Sequence, residues 1–90
     1  MCVQIEVPPF LNHLMNGIKA VSVSGSTVGE CLDYFIRQFP HTKGLLFDKD
    51  AKLFGHIDIF VNGVSIFPEE LAKPVNDGDT ISMIYLIVGG

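Results

Sequence analysis

The 90-residue chain has few cysteines, few basic residues and no long hydrophobic run, and each shortage excludes a class of protein. Its two cysteines, Cys2 and Cys31, can form at most one disulfide, which excludes the disulfide framework of small secreted domains. Two thiols also cannot hold an iron–sulfur cluster or a zinc ion without further ligands. The three histidines lie far apart without ligand spacing, so we expect no metal site.

Positive charge is also scarce, because only six Lys and Arg residues are spread along the chain and the formal net charge is −4. Nucleic-acid binding normally requires clustered basic residues, so we expect no nucleic-acid partner. No hydrophobic run approaches the ~20 residues that span a bilayer. The first ten residues lack the basic and long apolar parts of a signal peptide. We therefore expect a cytoplasmic protein without a membrane partner.

Hydrophobic residues, in contrast, are plentiful. They make up 48% of the chain and include seven Phe, whereas only 18% of the residues are charged. This composition is typical of a packed globule and not of a disordered chain. A chain of this length has room for one hydrophobic core, so we expect residues 1–90 to form a single domain.

Two stretches near the N-terminus alternate apolar and polar residues with the period of a half-buried strand. The first covers residues 2–8 and the second covers residues 18–25. Asn16-Gly17, between them, is a turn signal. The pattern predicts an antiparallel hairpin with a longer connection.

Residues 26–40 change to the period of a helix. Thr27, with Glu30 three positions later, forms a capping-box pattern at its start, and Pro40 predicts its end. The stripe that we expect to face the core, with Ile36 on its border, consists of Val28, Cys31, Leu32, Phe35 and Phe39. The opposite, solvent-facing side is expected to carry Glu30, Asp33, Tyr34 and Arg37.

The next segment, residues 41–55, is ambiguous and predicts only a short turn around residues 45–47 followed by a loop. Asn62-Gly63 is a preferred type I′ pair and predicts a hairpin between residues 56–61 and residues 64–67.

After this hairpin, Pro68 suits the first position of a short helical turn. Residues 76–79 form another turn signal. The last strand, residues 80–88, is almost entirely apolar and is therefore expected to lie buried inside the sheet.

This order of elements predicts a two-layer α+β domain with one main helix laid across a mixed sheet of about four to five strands. The arrangement is the ubiquitin-like β-grasp, in which the first and last strands lie side by side and parallel. The C-terminus would then leave the centre of the sheet.

Most other polar or reactive side chains are expected to be structural. Cys31 lies on the apolar helix stripe, which indicates a core thiol. Asp77 and Asp79 are expected to shape a turn, and Glu69 and Glu70 to lie on a solvated face. No nucleophile, base and orienting group can be assembled, so we do not expect the chain to be an enzyme by itself.

Four phenylalanines are expected to lie mostly in the core, namely Phe35, Phe39, Phe54 and Phe60. The sequence does not assign Phe60 or His56 to a face of the sheet.

Three segments together resemble the MoaD/ThiS family of prokaryotic sulfur carriers over essentially the whole chain. They are the helix GSTVGECLDYFIRQFP, the hairpin IFVNG, and the C-terminal segment PVNDGDTISMIYLIVGG. The strongest parts are the turn at Asp77-Gly78-Asp79, the apolar strand after it, and Gly89-Gly90 at the end.

The resemblance implies a carrier function for Gly90. In that family, a ubiquitin-activating-type enzyme adenylates the C-terminal glycine carboxylate with ATP and magnesium. A sulfur donor then converts it to a thiocarboxylate, which passes sulfur to an acceptor. The resemblance thus implies a partner adenylating enzyme, a sulfur donor and an acceptor enzyme or large subunit that takes the tail. It implies no tightly bound cofactor. The uninterrupted apolar stretch before the glycines is this chain's own feature, and we expect an apolar groove of the partner to recognise the tail through Ile87, Val88 and Gly89.

The resemblance indicates the sulfur acceptor less directly than it indicates the carrier function. We expect the small subunit of molybdopterin synthase first, ahead of a carrier for cysteine or thiamine synthesis. The family commonly has a proline and small residues before the glycines in the molybdopterin and cysteine types, whereas this chain has Tyr85, Leu86, Ile87 and Val88. Two alternatives are a ubiquitin-like modifier joined to lysines through Gly90 and an interaction domain whose tail is incidental. The sulfur donor and the oligomeric state do not follow from the sequence.

Overall fold

A computed structural model of the protein describes residues 2–86. Within this range the strands are β1 (Val3–Glu6), β2 (Ala20–Val23), β3 (Ile57–Val61), β4 (Val64–Ser65) and β5 (Thr80–Tyr85), and the helices are α1 (Val28–Gln38) and α2 (Lys43–Leu46). Short 3-10 turns cover Pro9–Leu14, Pro40–Thr42 and Glu70–Ala72.

The described residues form a five-stranded mixed sheet with the order β2-β1-β5-β3-β4. The first and last strands are neighbours and run parallel, with Ile5 opposite Ile81. The other strand pairs are antiparallel. This is the predicted β-grasp arrangement, so the fold class is confirmed.

Both predicted hairpins form. Val3 pairs with Val23 and Glu6 with Ala20 in the first hairpin. In the second, Asn62 and Gly63 have φ angles of 52° and 83°, the left-handed pair that a type I′ turn requires.

Helix α1 begins as predicted, because the Thr27 hydroxyl accepts a hydrogen bond from the Glu30 N–H at 3.2 Å. The reciprocal half of the capping box is shifted by one residue. The Glu30 carboxylate accepts hydrogen bonds from the N–H and the hydroxyl of Ser26, each at 2.8 Å, and these bonds lower the pKa of Glu30. The cap therefore fixes the chain on both sides of Thr27.

The core lies between α1 and one face of the sheet. The predicted helix stripe points into it, with four fully buried members, Val28, Cys31, Leu32 and Phe35. The sheet contributes alternate residues from its three inner strands, namely Val3, Ile5, Ile57, Ile59, Ile81 and Met83. The structure thus has the two layers that the sequence predicted.

Three local expectations need correction. The ambiguous segment is more ordered than expected, because α2 ends at Leu46 and Phe47 then forms an isolated bridge with Leu53. Pro68 does not start the short helical turn, which begins two residues later at Glu70. Phe35 is in the core as predicted, whereas Phe39, Phe54 and Phe60 are only half-buried.

Candidate functional site

The strand that leads to the C-terminus occupies the middle of the sheet. At its beginning, β5 pairs with β1 at Gln4↔Thr80 and Ile5↔Ile81. On its other side it pairs with β3 along its whole length, from Val61↔Ile81 to Ile57↔Tyr85. Any residue that follows β5 is therefore carried by a central strand that is paired on both sides at its beginning and with β3 up to Tyr85.

The turn before β5 ties this strand to both hairpins. The Asp77 carboxylate accepts a hydrogen bond from the Cys2 N–H at 2.8 Å. The Asp79 carboxylate accepts bonds from the Asn76 N–H at 2.8 Å and the Asn62 amide at 3.0 Å. These bonds, the Asn76 backbone bond first, hold the pKa of Asp79 below its ordinary value. Both aspartates therefore serve as turn residues, as predicted.

The outgoing end of β5 differs from the prediction, because it is not buried. Ile84, Tyr85 and Leu86 are 49%, 47% and 44% exposed. Ile84 alternates with the buried residues Ile81 and Met83 and therefore lies on the sheet face away from α1, and Tyr85 and Leu86 follow it at the end of the strand. The apolar strand is thus buried at Ile81 and Met83 and exposed from Ile84 onward.

The predicted tail residues, Ile87, Val88, Gly89 and Gly90, lie outside the described residues. The last described link to the sheet is at Leu86, whose N–H donates to the His56 carbonyl oxygen at 2.6 Å. This bond extends the β3–β5 ladder one step beyond the strand. A chain of four residues spans at most about 14 Å, so this distance from Leu86 bounds the reach of the Gly90 carboxylate.

Further apolar side chains are exposed near this end of the sheet. Phe67 is 74% exposed, and it lines a shallow depression together with Leu86. Two carboxylate residues, Asp58 and Glu70, line the same depression. The end of β5 therefore has an apolar surface with negative charge beside it.

Other candidates do not form a reactive site. Cys31 is fully buried, and burial, with the nearby charge of Glu30, raises the pKa of its thiol. A buried thiol with a raised pKa is a poor nucleophile. Glu69 is exposed as expected, and Glu70 is half-buried.

Within residues 2–86, no group of three or more His, Cys, Asp and Glu residues is arranged to hold a metal ion. No helix in the described part of the chain is long and apolar enough to cross a membrane.

Two residues beside the outgoing strand were not predicted as part of the site. His56 faces Leu86 because the register Ile57↔Tyr85 places the residue before β3 opposite the residue after β5. Phe10, from the first 3-10 turn, lies against Tyr85. His56 could have been assigned to the site only if the β3–β5 register had been known. No sequence pattern indicates Phe10.

No protein-family model matches the chain. Its sequence is 29% identical over 93 residues to the sulfur carrier protein CysO of Mycobacterium tuberculosis, with all of both chains covered.

Two solved structures are also similar to this protein over almost its whole length. A chain of the Amycolatopsis orientalis BexX/CysO complex is 30% identical, with a TM-score of 0.84, and the match covers 98% of this protein and 99% of that chain. The small archaeal modifier protein 1 of Methanosarcina acetivorans is 26% identical, with a TM-score of 0.85, and the match covers 99% and 96% of the two chains. The fold, the strand order and these similarities together show that the chain belongs to the MoaD/ThiS family of ubiquitin-like sulfur carrier proteins.

Proposed function

We propose that the carboxylate of Gly90 is the group that carries sulfur in this protein. A carboxylate oxygen of Gly90 attacks the α-phosphorus of ATP in a ubiquitin-activating-type enzyme, and magnesium pyrophosphate leaves. Hydrosulfide, delivered by a sulfur donor, then attacks the acyl carbon and displaces AMP. The product is a thiocarboxylate, and no oxidation or reduction is needed. In this proposal the chain is the protein-bound substrate of other enzymes and has no catalytic activity by itself.

The observation that carries the proposal is the position of β5. It is a central strand, buried at Ile81 and Met83, and its last described hydrogen bond is four residues before Gly90. Glycine has no Cβ, so Gly89 and Gly90 can enter a narrow channel with backbone angles closed to other residues. The central strand would anchor the tail, and the glycines would present the carboxylate to the partner.

The exposed surface near the tail supports a docking role toward the adenylating enzyme. Ile84, Leu86 and Phe67 would contact an apolar groove of that enzyme. Asp58 and Glu70 would favour basic residues at the rim of the groove. A related chain has been solved in the BexX/CysO complex, which agrees with a carrier that acts through partner proteins.

For the sulfur acceptor, we favour an enzyme of cysteine synthesis. The curated relatives are named sulfur carrier protein CysO, and this name favours the cysteine branch of the family over the molybdopterin branch that the sequence placed first. Molybdopterin and thiamine synthesis remain as the alternatives. An assay that offers the thiocarboxylated protein to each type of acceptor enzyme, and follows the loss of sulfur from the carrier, separates the three.

A second candidate function is protein modification through Gly90. It is favoured by the similarity to the small archaeal modifier protein 1 of Methanosarcina acetivorans. Peptides in which Gly90 is joined to the lysine of another protein, recovered from the source cells by mass spectrometry, would support this function.

The adenylation step tests the main proposal. The protein is incubated with a cognate adenylating enzyme, ATP, magnesium and sulfide, beside a chain that lacks Gly90, and the intact masses are measured. We expect an exchange of one oxygen for sulfur in the full chain and none in the shortened chain. The partner's activity is verified on a second carrier. If the full chain remains unchanged while that carrier reacts, the proposal is wrong.

A further inference from the structure

The second half of β5 is held less evenly than the first. Beyond Ile81, β5 keeps its ladder with β3, but the pairing with β1 within the described residues includes only Gln4↔Thr80 and Ile5↔Ile81. A strand end that is bonded on one side only tends to fray. Since the tail follows this end, its point of departure would vary unless other contacts fixed it.

An aromatic row provides such contacts. The ring of Tyr85 lies between two others, with centroids 5.3 Å from Phe10 in an edge arrangement and 4.5 Å from His56 in a tilted one. The imidazole of His56 in turn stacks on Phe54 at 5.0 Å and 18°. Aromatic pairs at such distances contribute more stabilising free energy than the burial of their surface area alone would give. The rings of Phe10 and His56 therefore both contact the side chain of Tyr85, and Phe54 supports His56.

The row is anchored in the body of the domain. Phe10 precedes Leu11, which is fully buried. The Phe54 N–H donates to the Leu46 carbonyl at 3.0 Å, and the Ile57 N–H donates to the Phe54 carbonyl at 3.1 Å. Two separate segments of the fold thus bring their rings to Tyr85.

The backbone bond at the tail is part of the same arrangement. His56 contacts the end of β5 twice, through its ring to Tyr85 and through its carbonyl oxygen to the Leu86 N–H. Fixing Tyr85 therefore also fixes Leu86, the residue before the tail.

We propose that Phe10, Tyr85, His56 and Phe54 form a clamp that fixes the position of Leu86, from which the tail continues, and that this fixed position makes capture of the tail by the adenylating enzyme efficient. The four are positioning residues and not catalytic ones. The proposal rests on the proposed function, because it assumes that residues 87–90 enter a partner. The clamp itself is a property of this chain and can be measured alone.

The expected size of the effect follows from conformational entropy. Ordering the backbone of one residue costs a factor of about 5 to 30 in an equilibrium constant. Without the clamp, the partner must order Tyr85 or Leu86 when it binds the tail. We therefore expect a rise of about 5- to 30-fold in KM for adenylation, with kcat near its original value because the bound tail is the same.

The test compares Tyr85→Ala with two matched variants. Tyr85→Phe keeps the ring and is expected to behave as the wild type. Tyr34→Ala makes the same substitution at an exposed position of α1, away from the row, and is also expected to leave KM unchanged. Circular dichroism confirms that each variant is folded. If Tyr85→Ala does not fold, His56→Ala replaces it, with His56→Phe as its control, since His56→Ala removes one side of the clamp and keeps the carbonyl.

Two readouts are taken. Hydrogen exchange of the Leu86 amide is expected to accelerate about tenfold in Tyr85→Ala and to stay slow in both controls. Adenylation kinetics are expected to show the rise in KM. The clamp proposal is wrong if Tyr85→Ala has the same Leu86 exchange rate and the same KM as Tyr34→Ala. A wild-type chain that is not adenylated by an active partner would instead overturn the proposed function, and the exchange comparison would still decide whether the clamp exists.

Discussion

The two faces of β5 differ in burial, and substitutions of matching residues on the two faces test this difference. Ile81 and Ile84 lie three residues apart on the same strand, but Ile81 is fully buried and Ile84 is 49% exposed. Ile81 also lies between Ile5 of β1 and Val61 of β3. We compare Ile81→Ala with Ile84→Ala, which is the same chemical change in two environments.

The expected magnitudes differ several-fold. Replacing a fully buried Ile by Ala costs about 2–5 kcal/mol, because both the transfer free energy and the contacts around the new cavity are lost. Ile84 loses roughly half of the ~1.5–3 kcal/mol of a complete burial and leaves no cavity, so we expect about 1 kcal/mol. For a domain of this size, a loss of about 3 kcal/mol lowers Tm by roughly 12–24 °C.

Urea unfolding followed by circular dichroism measures the free energy of unfolding of both variants, and equal slopes with respect to urea verify that the unfolding is comparable. A loss for Ile84→Ala as large as that for Ile81→Ala would refute the assignment of the two faces. It would mean that Ile84 is covered by other parts of the protein.

Two further predictions concern the helix start and the turn before β5. A Cβ at Gly25 would lie 2.8 Å from the Cys31 nitrogen and 2.9 Å from the Glu30 Cβ, whereas a Cβ at Gly44 meets nothing within 4 Å. We expect Gly25→Ala to destabilise by about 1–3 kcal/mol in urea unfolding and Gly44→Ala to be neutral or stabilising, and equal effects would contradict the close approach at Gly25. Asp79 has a pKa below its ordinary value of 3.8, so its contribution is present above the unfolded-state pKa and is lost as the pH falls through the lower folded-state pKa. Unfolding free energies from about pH 5 downward should therefore fall less steeply in Asp79→Asn than in the wild type, and identical slopes would contradict this role.

Much of the fold follows from local sequence signals. Thr27 and Pro40 bound the helix, Asn62-Gly63 dictates a hairpin turn, and the apolar pattern after Asp79 places β5 inside the sheet. The first two signals act through the backbone of a few neighbouring residues, and the third acts through the hydrophobicity of its own side chains, so the sequence alone carries them.

The end of β5 could not be predicted in the same way. Hydrophobicity predicted that Ile84, Tyr85 and Leu86 belong to a buried strand, but β5 ends at Tyr85 and all three side chains are exposed. Which faces of a strand are covered is set by packing between distant elements. The approach of Phe10 to Tyr85 is also a tertiary contact, between residues 75 positions apart, and no local pattern records it.

If Gly90 carries the sulfur, the modified carboxylate can be detected at the C-terminus of the protein itself. The protein is purified from cells that contain its own sulfur-transfer partners and is cleaved, and the C-terminal peptide is fragmented in a mass spectrometer. We expect a peptide in which one oxygen of the Gly90 carboxylate is replaced by sulfur, with every other residue unmodified. Sulfur found at Cys2 or Cys31, with an ordinary carboxylate at Gly90 under conditions in which the partners are active, would contradict it.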